Sequence, residues 1–356
     1  MKVDNLQKAC KLLIKISNQS SMTELFRCTE IGPDAMRAMS EYGNIEYFQP
    51  VEGMTTQVLV NTLAFNAVIS SLDPGSDIEF TQNPTQLNWK SGSAKGHLSY
   101  PAPVQAIPTI PPDKNFSWNP PKEFPVSLML ASTACQSVAV SIGLFGVVFE
   151  PLATGQLRMT SSNNNSLATT QVSLEGYPTT ETVTLRPPVP VILSTLLELE
   201  PKALLDISKE GIFILSPSFI AQLPLSSALE HSVGQVIDRF TTENEQTAID
   251  PKAISTFLGR AKSLTDKNLP VEIRLQVTEG KLLLQQLSGA ASTEQYFLAA
   301  GISTDKSFNS VVLPFNLLAP SLEHTEFAVL DYLAGNILVL KGSKPNFRHI
   351  VGGKAS

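Results

Sequence analysis

No stretch of this chain approaches eighteen uninterrupted apolar residues, so no segment reads as a membrane-spanning helix. The opening run MKVDNLQKACKLLIKISNQ has charges inside its apolar text, which a secretory h-region lacks. Cysteine is scarce: Cys10, Cys28 and Cys135 are odd in number and share no CxxC spacing. That argues against a disulfide framework or a zinc site, and they read as small core hydrophobes in a reducing compartment. His97, His231, His324 and His349 are scattered, without HExxH or a ligand pair at helical spacing. Glycine-rich phosphate loops and a GxSxG elbow are both missing. Asp77, Asp206 and Asp331 stand near turns, where turn chemistry accounts for them. Charged residues make up only 16% and the net charge is -6, which excludes a surface basic all over but not a local basic lining. The expectation is a soluble, cytoplasmic protein, neither enzyme nor membrane protein, with no cofactor or metal.

What the chain does have is repetition. The run Pro187 to Leu225, PPVPVILSTLLELEPKALLDISKEGIFILSPSFIAQLPL, has a counterpart before it and another after it, each at an offset of 125. The offset takes Val68 to Leu193 to Leu318, and Leu72 to Leu197 to Leu322. It also takes Phe80 to Leu205 to Leu330, Leu87 to Ile212 to Ile337, and Trp89 to Ile214 to Val339. Each copy reads as a short apolar helix followed by two alternating strands around a turn. Chance agreement of Leu-rich text is the plain alternative. The length of 356 residues suits two or three domains, and three units of about 115 to 125 residues are comfortable. We place them at 1–113, 114–240 and 241–356.

In chain order, Asn5 to Ser17 predicts a helix with Leu6, Ala9, Cys10 and Leu13 on one side and Lys8, Lys11 and Lys15 on the other. Leu25 to Pro50 predicts short strands, Gln57 to Leu72 a second helix, and Asp77 to Tyr100 a hairpin and a last strand. Residues 101–121 carry prolines at 101, 103, 108, 111, 112, 120 and 121, which predicts an extended connector and no packed element. The second unit begins with an uncharged helix, Phe124 to Ile142, then strands around a polar loop at Ser161 to Ser166. In the third, a helix near Asp250 to Leu264 sets Ile254, Phe257, Leu258, Ala261 and Leu264 against Lys252, Arg260 and Lys262, with Lys267 in the next turn. Either basic stripe also reads as an ordinary solvated face.

Three successive units of two helices on small antiparallel sheets, an α+β design, resemble the bacterial DNA sliding clamp, the beta subunit of the replicative polymerase. IRLQVTEGKLLL, Ile273 to Leu284, is similar to a strand pair of the clamp's third domain. GVVFEPLATGQLRMTSSNNNSLATT, Gly146 to Thr170, is similar to the second-domain strands leading into the loop that binds partner peptides. The chain departs from the family at Ser162-Asn163 and Ser166-Leu167, where Thr-Asp and Arg-Leu are usual, and in its ending FRHIVGGKAS. Such divergence suits a phage-encoded version.

The resemblance implies a closed homodimeric ring around double-stranded DNA, contacted without sequence reading by Lys8, Lys11, Lys15, Lys252, Arg260, Lys262 and Lys267. It implies a clamp loader and a replicative polymerase as partners. The polymerase peptide would lie in a groove between the second and third units, formed by Leu144, Asn164, Asn165, Ser166, Leu167, Phe315, Leu318, Ile350 and Val351. It implies a joint between chains from the strand His97, Leu98 to Tyr100 against Val271, Ile273 and Leu275, with Leu98 touching Ile273. A virion or assembly protein of repeated β-rich units is the competing reading, and its helices would need no basic stripes.

Overall fold

The computed structural model describes residues 1–101, 106–135, 146–162 and 166–226, and beyond 245 residues 321 and 322 with the helices and strands named below and part of their side chains. Helix α1 (Val3–Ile16) forms where apolar residues recur every three or four positions, and Val3, Leu6, Ala9, Cys10, Leu13 and Ile16 are buried. Strands β1 (Cys28–Ile31), β2 (Met36–Ser40) and β3 (Gly43–Tyr47) form an antiparallel meander, and β4 (Val58–Asn61) returns to pair with β1. The helix predicted from Gln57 therefore starts later, as α2 (Thr62–Ser70). β-branched Val58 and Val60 favour the strand. The Asn61 side chain, accepting the Ala64 N–H at 3.0 Å, fixes the helix start. Strands β5 (Glu79–Gln82), β6 (Gln86–Ser91) and β7 (Ala94–Ser99) complete the first copy.

The pattern recurs. Helix α3 (Phe124–Ser132) precedes β8 (Val147–Leu152), β9 (Gln156–Ser162), β10 (Ser166–Ser173) and β11 (Val183–Leu185); α4 (Val189–Leu199) precedes β12 (Leu204–Ser208), β13 (Gly211–Leu215) and β14 (Phe219–Leu223). Helix α3 ends at Ser132, short of the predicted Ile142, and residues 136–142 lie outside the described residues. The third copy runs β15 (Gln246–Ala248), α5 (Pro251–Ser263), β16 (Glu272–Thr278), β17 (Lys281–Leu287), β18 (Glu294–Leu298) and β19 (Phe308–Pro314), then β20 (Phe327–Asp331), β21 (Ile337–Ser343) and β22 (Asn346–Gly352).

Strand order states the repeat more sharply than the text did: β3-β2-β1-β4, β10-β9-β8-β11 and β18-β17-β16-β19 are one arrangement used three times. Phe80, Leu205 and Leu330 fall in β5, β12 and β20, while Trp89, Ile214 and Val339 fall in β6, β13 and β21. Phe80 faces Trp89 as Leu205 faces Ile214, but Leu330 faces Leu338, one position short of the offset. The link between β20 and β21 is longer, and hairpin register follows loop length.

The copies are laced together. Strand β3 pairs with β14 to make one seven-stranded sheet, and β10 pairs with β22 to make one of eight. Compact units accordingly follow the laced sheets: one holds Met1–Pro120, Gly176–Thr180 and Ile192–Leu225, the other the remainder. One face of each sheet holds the helices, where Ser40 donates to the Ile16 carbonyl at 2.5 Å and Ser161 to that of Ala131. On the opposite face Arg37 bridges Glu30 and Glu46, each at 2.8 Å, and Arg158 bridges Glu150 at 2.8 Å.

The proline-rich segment is not a free connector, which corrects the reading from its composition. Ile107, Ile110 and Trp118 are buried. Its N–H at Ile107 donates to Glu30 (3.0 Å), its Pro108 carbonyl accepts from Asn44 (2.8 Å), and Ile110 and Phe116 pack with Phe213, Ile220 and Leu215. Lys114 lies 4.5 Å from the Phe213 ring centroid and pairs with Glu210 at 2.5 Å. Trp118 then bridges Leu205 of β12 in both backbone directions. Prolines suit such a strap because it crosses the strands, and its β-bridge at Trp118 draws on no proline nitrogen.

Candidate nucleic-acid and partner interfaces

On α1 the predicted apolar side is buried, and Lys8, Lys11 and Lys15 are all exposed. Spacings of three and four residues set their side chains one above another along one face. None of the three makes an ion pair among the described residues. Helix α5 buries Phe257, Leu258 and Ala261 and exposes Arg260. Lys252 and Lys262 belong to α5, but their side chains, with Ile254 and the whole of Leu264 and Lys267, lie outside the described residues. Helix α2 carries no charge, and α3 none either, its residues being buried or half-buried.

The residues expected for a partner groove meet only in part. Leu167 of β10 and Ile350 of β22 are direct partners across the strand pair that laces the second copy to the third, and Ser166 faces Val351 beside them. Leu167 is 8% and Ile350 5% exposed, so this pair is nearly closed to solvent. Leu144, Asn164, Asn165, Phe315 and Leu318 lie outside the described residues. Next to Ile350, buried His349 holds Ser321 through Nδ1 at 2.6 Å, and burial pushes its imidazole down to about 4. No spacing or motif announces this pair, because Ser321 and His349 lie 28 positions apart and meet only after folding.

The expected joint between chains needs correction. Strand β16, which carries Ile273 and Leu275, is not an edge: it is hydrogen-bonded to β17 on one side and β19 on the other, and Ile273 is fully buried. Val271 lies outside the described residues. In that sheet the edges are β18 and β19. Strand β7 does stand at a sheet edge, with His97 exposed, Tyr100 half-buried and Leu98 turned inward at 7% exposure. Leu98 and Ile273 are each buried within the single chain, which leaves little of either side chain for a contact between chains.

Thiol chemistry is suppressed: burial pushes Cys10 up to about 12, Cys28 to about 11 and Cys135 to about 12. Among the described residues no cluster of three metal-ligating side chains occurs, and no helix is long and apolar enough to cross a membrane.

Three α+β copies laced through paired strands define a repeat-built, sheet-backed protein. Solved structures carry the same arrangement over the full chain. The DNA polymerase III subunit beta of Pseudomonas aeruginosa is 15% identical, with a TM-score of 0.69, covering 100% of this chain and 99% of that one. The sliding clamp of Bartonella birtlesii bound to griselimycin is 12% identical, with a TM-score of 0.76 and coverage of 100% and 99%. The Helicobacter pylori beta clamp bound to a DNA ligase peptide is 12% identical, with a TM-score of 0.67 and coverage of 99% of each chain. No protein-family model and no curated protein matches the chain. The fold is that of the DNA sliding clamp.

Proposed function

We propose that this chain is a DNA polymerase processivity factor: a head-to-tail homodimeric ring of domains 1–113, 114–240 and 241–356 that encircles duplex DNA. A clamp loader opens it, and the replicative polymerase docks by a peptide in a groove between the second and third domains. It has no catalytic site of its own and works in the cytoplasm, at the nucleoid of a bacterial or phage-infected cell. The ligase peptide and griselimycin on the similar clamps support a peptide groove.

One observation carries the ring. Both joins within the chain obey a single rule, in which the third strand of one copy's first sheet pairs with the last strand of the next copy, as β3 does with β14 and β10 with β22. Applied once more, the rule leaves β18 at one end and β7 at the other, each at the edge of its sheet. Joining β18 of one chain to β7 of a second gives the sheet β5-β6-β7-β18-β17-β16-β19, the strand order of the seven-stranded sheet already present. A head-to-tail joint of this kind makes a ring where its rotation closes and a filament where it does not, and the proposed form closes on a second copy. The open edge of β18 supports a joint there, in place of β16.

The exposed lysines of α1 supply the second half of the function, a salt-sensitive hold on phosphates that reads no bases and permits sliding. Sedimentation and two-dimensional class averages test the ring, and a dimer with six lobes is expected. A monomer or an open polymer sinks it. For DNA, Lys11→Glu with Lys15→Glu should weaken duplex binding and flatten its salt dependence by about 0.9 in log-log slope per lost phosphate contact. An unchanged slope would leave α1 a solvated face.

A further inference from the structure

The offset of 125 holds residue by residue over the last hairpin of the first two copies. It carries Asn88 to Phe213, Lys90 to Leu215, Lys95 to Ile220 and His97 to Gln222, and the pairing of β6 with β7 matches that of β13 with β14 in register. These positions lie on the sheet face away from the buried Leu87 and Leu98, since side chains alternate along a strand. In the second copy that face is apolar and covered, because Ile110 and Phe116 of the strap pack on Phe213, Ile220 and Leu215. In the first copy the same face is bare. Glu79, Thr81, Asn88, Lys90, Lys95 and His97, with Trp89 and Gly96 also at its wall, line a depression of about 490 Å³, within the range of roughly 300–1,000 Å³ usual for ligand sites.

Charge distinguishes the two faces. Lys90 and Lys95 stand directly opposite one another, a like-charge pairing that disfavours the bare sheet. Both are exposed, and neither makes an ion pair among the described residues, although Glu79 faces Lys90 across the neighbouring strand pair. An extended polypeptide already occupies the equivalent face in this molecule, so the face itself suits a strap that crosses strands. Apolar anchors suit the second copy, and carboxylates suit two unpaired lysines flanked by Asn88 and His97. We propose that the outer face of β5-β6-β7 is a second docking site, separate from the peptide groove, for an acidic extended segment of a partner protein laid across the strands as residues 106–118 are laid across β12-β13-β14. This rests on the internal repeat and not on ring closure or DNA binding.

The test uses the full-length protein and three fluorescein-labelled probes: a decamer of alternating Asp and Pro, which stays extended as the strap does, the Lys-Pro decamer, and a ten-residue oligothymidine. Anisotropy should show the Asp-Pro decamer binding at least tenfold more tightly than the Lys-Pro decamer. Lys90→Glu with Lys95→Glu should reduce that affinity at least tenfold, while Lys202→Glu with Lys209→Glu, the same change of charge at exposed positions outside the face, changes it less than threefold. Circular dichroism and sedimentation confirm that the variants keep the fold and assembly state of the parent. The proposal is overturned if the acidic decamer shows no preference, or if the double charge reversal leaves its binding unchanged. It is equally overturned if oligothymidine binds more tightly than the acidic decamer and is the probe the reversal releases, which would make the face a nucleic-acid contact. Because the parent's assembly and duplex binding are measured separately, failure here leaves the clamp reading untouched, and the converse holds.

Discussion

His349 shows how a single residue sets a pH limit. Its folded value of about 4 lies below the ordinary 6.5 because burial disfavours the imidazolium. Between those values the unfolded chain binds the extra proton, so stability is complete above about pH 6.5 and falls as pH drops toward 4. The shift corresponds to at most about 3 kcal/mol. His349→Gln should lower the urea midpoint at pH 7, through the lost bond to Ser321, but should remove part of the decline between pH 7 and pH 5. Parallel slopes for parent and variant would assign the acid sensitivity elsewhere. Arg37 is the opposite case: the hydrogen bonds it donates to Glu46 and Glu30 raise it against the desolvation that would lower it, so it stays charged while buried. Neither residue stood out in the sequence, because a charge or an imidazole within an alternating strand reads as solvent-facing until the element covering it is known.

At the level of elements, what could be read and what could not divide along a physical line. The α1 face was legible because its period is local: Leu6, Ala9, Cys10 and Leu13 share a side whatever the rest of the chain does. The hairpins β12-β13 and β16-β17 were legible for the same reason. The interior position of β16 was not, since being an edge is a property of sheet order and not of a strand's own residues. The strap was misread because its prolines report only what it cannot do, which is to add to a ladder. Its packing predicts a cost. Ile110→Asp would set a carboxylate against Phe213 and Ile220, and the lost burial with the unpaired charge should destabilise by about 3 kcal/mol or more. A lower urea midpoint and new protease cleavage within residues 101–121 are the expected signs. Resistance equal to the parent's would mean that the strap contributes little.

For the whole molecule the critical quantity is the open side of β7. Tyr100 donates its N–H to Thr85 at 3.1 Å, so by alternation His97 and Ser99 direct their backbone groups away from β6. Proline is tolerated where a strand's N–H faces outward. His97→Pro should therefore fold with a near-normal melt yet sediment as a monomer at micromolar concentration, because one rung of the proposed β7 to β18 ladder is gone and its neighbours are strained. A dimer of unchanged affinity would place the joint elsewhere. Ile273→Asp is no test of that joint, since Ile273 is buried in the core beside β17 and β19 and the change would damage the domain itself.

The lacing of β3 to β14 has a further consequence during synthesis. Tyr47 and Phe219 are partners 172 positions apart (219 − 47). A ribosome adding about 5–20 residues per second needs roughly 9 to 34 s to deliver the second after the first. Throughout that interval a nascent chain with a finished first meander holds β3 as an unpaired edge, open to any strand on a neighbouring nascent chain. Polysomes crowded with this message would favour exchanged strands between chains, so the rate of elongation between codons 48 and 219 should govern the soluble yield.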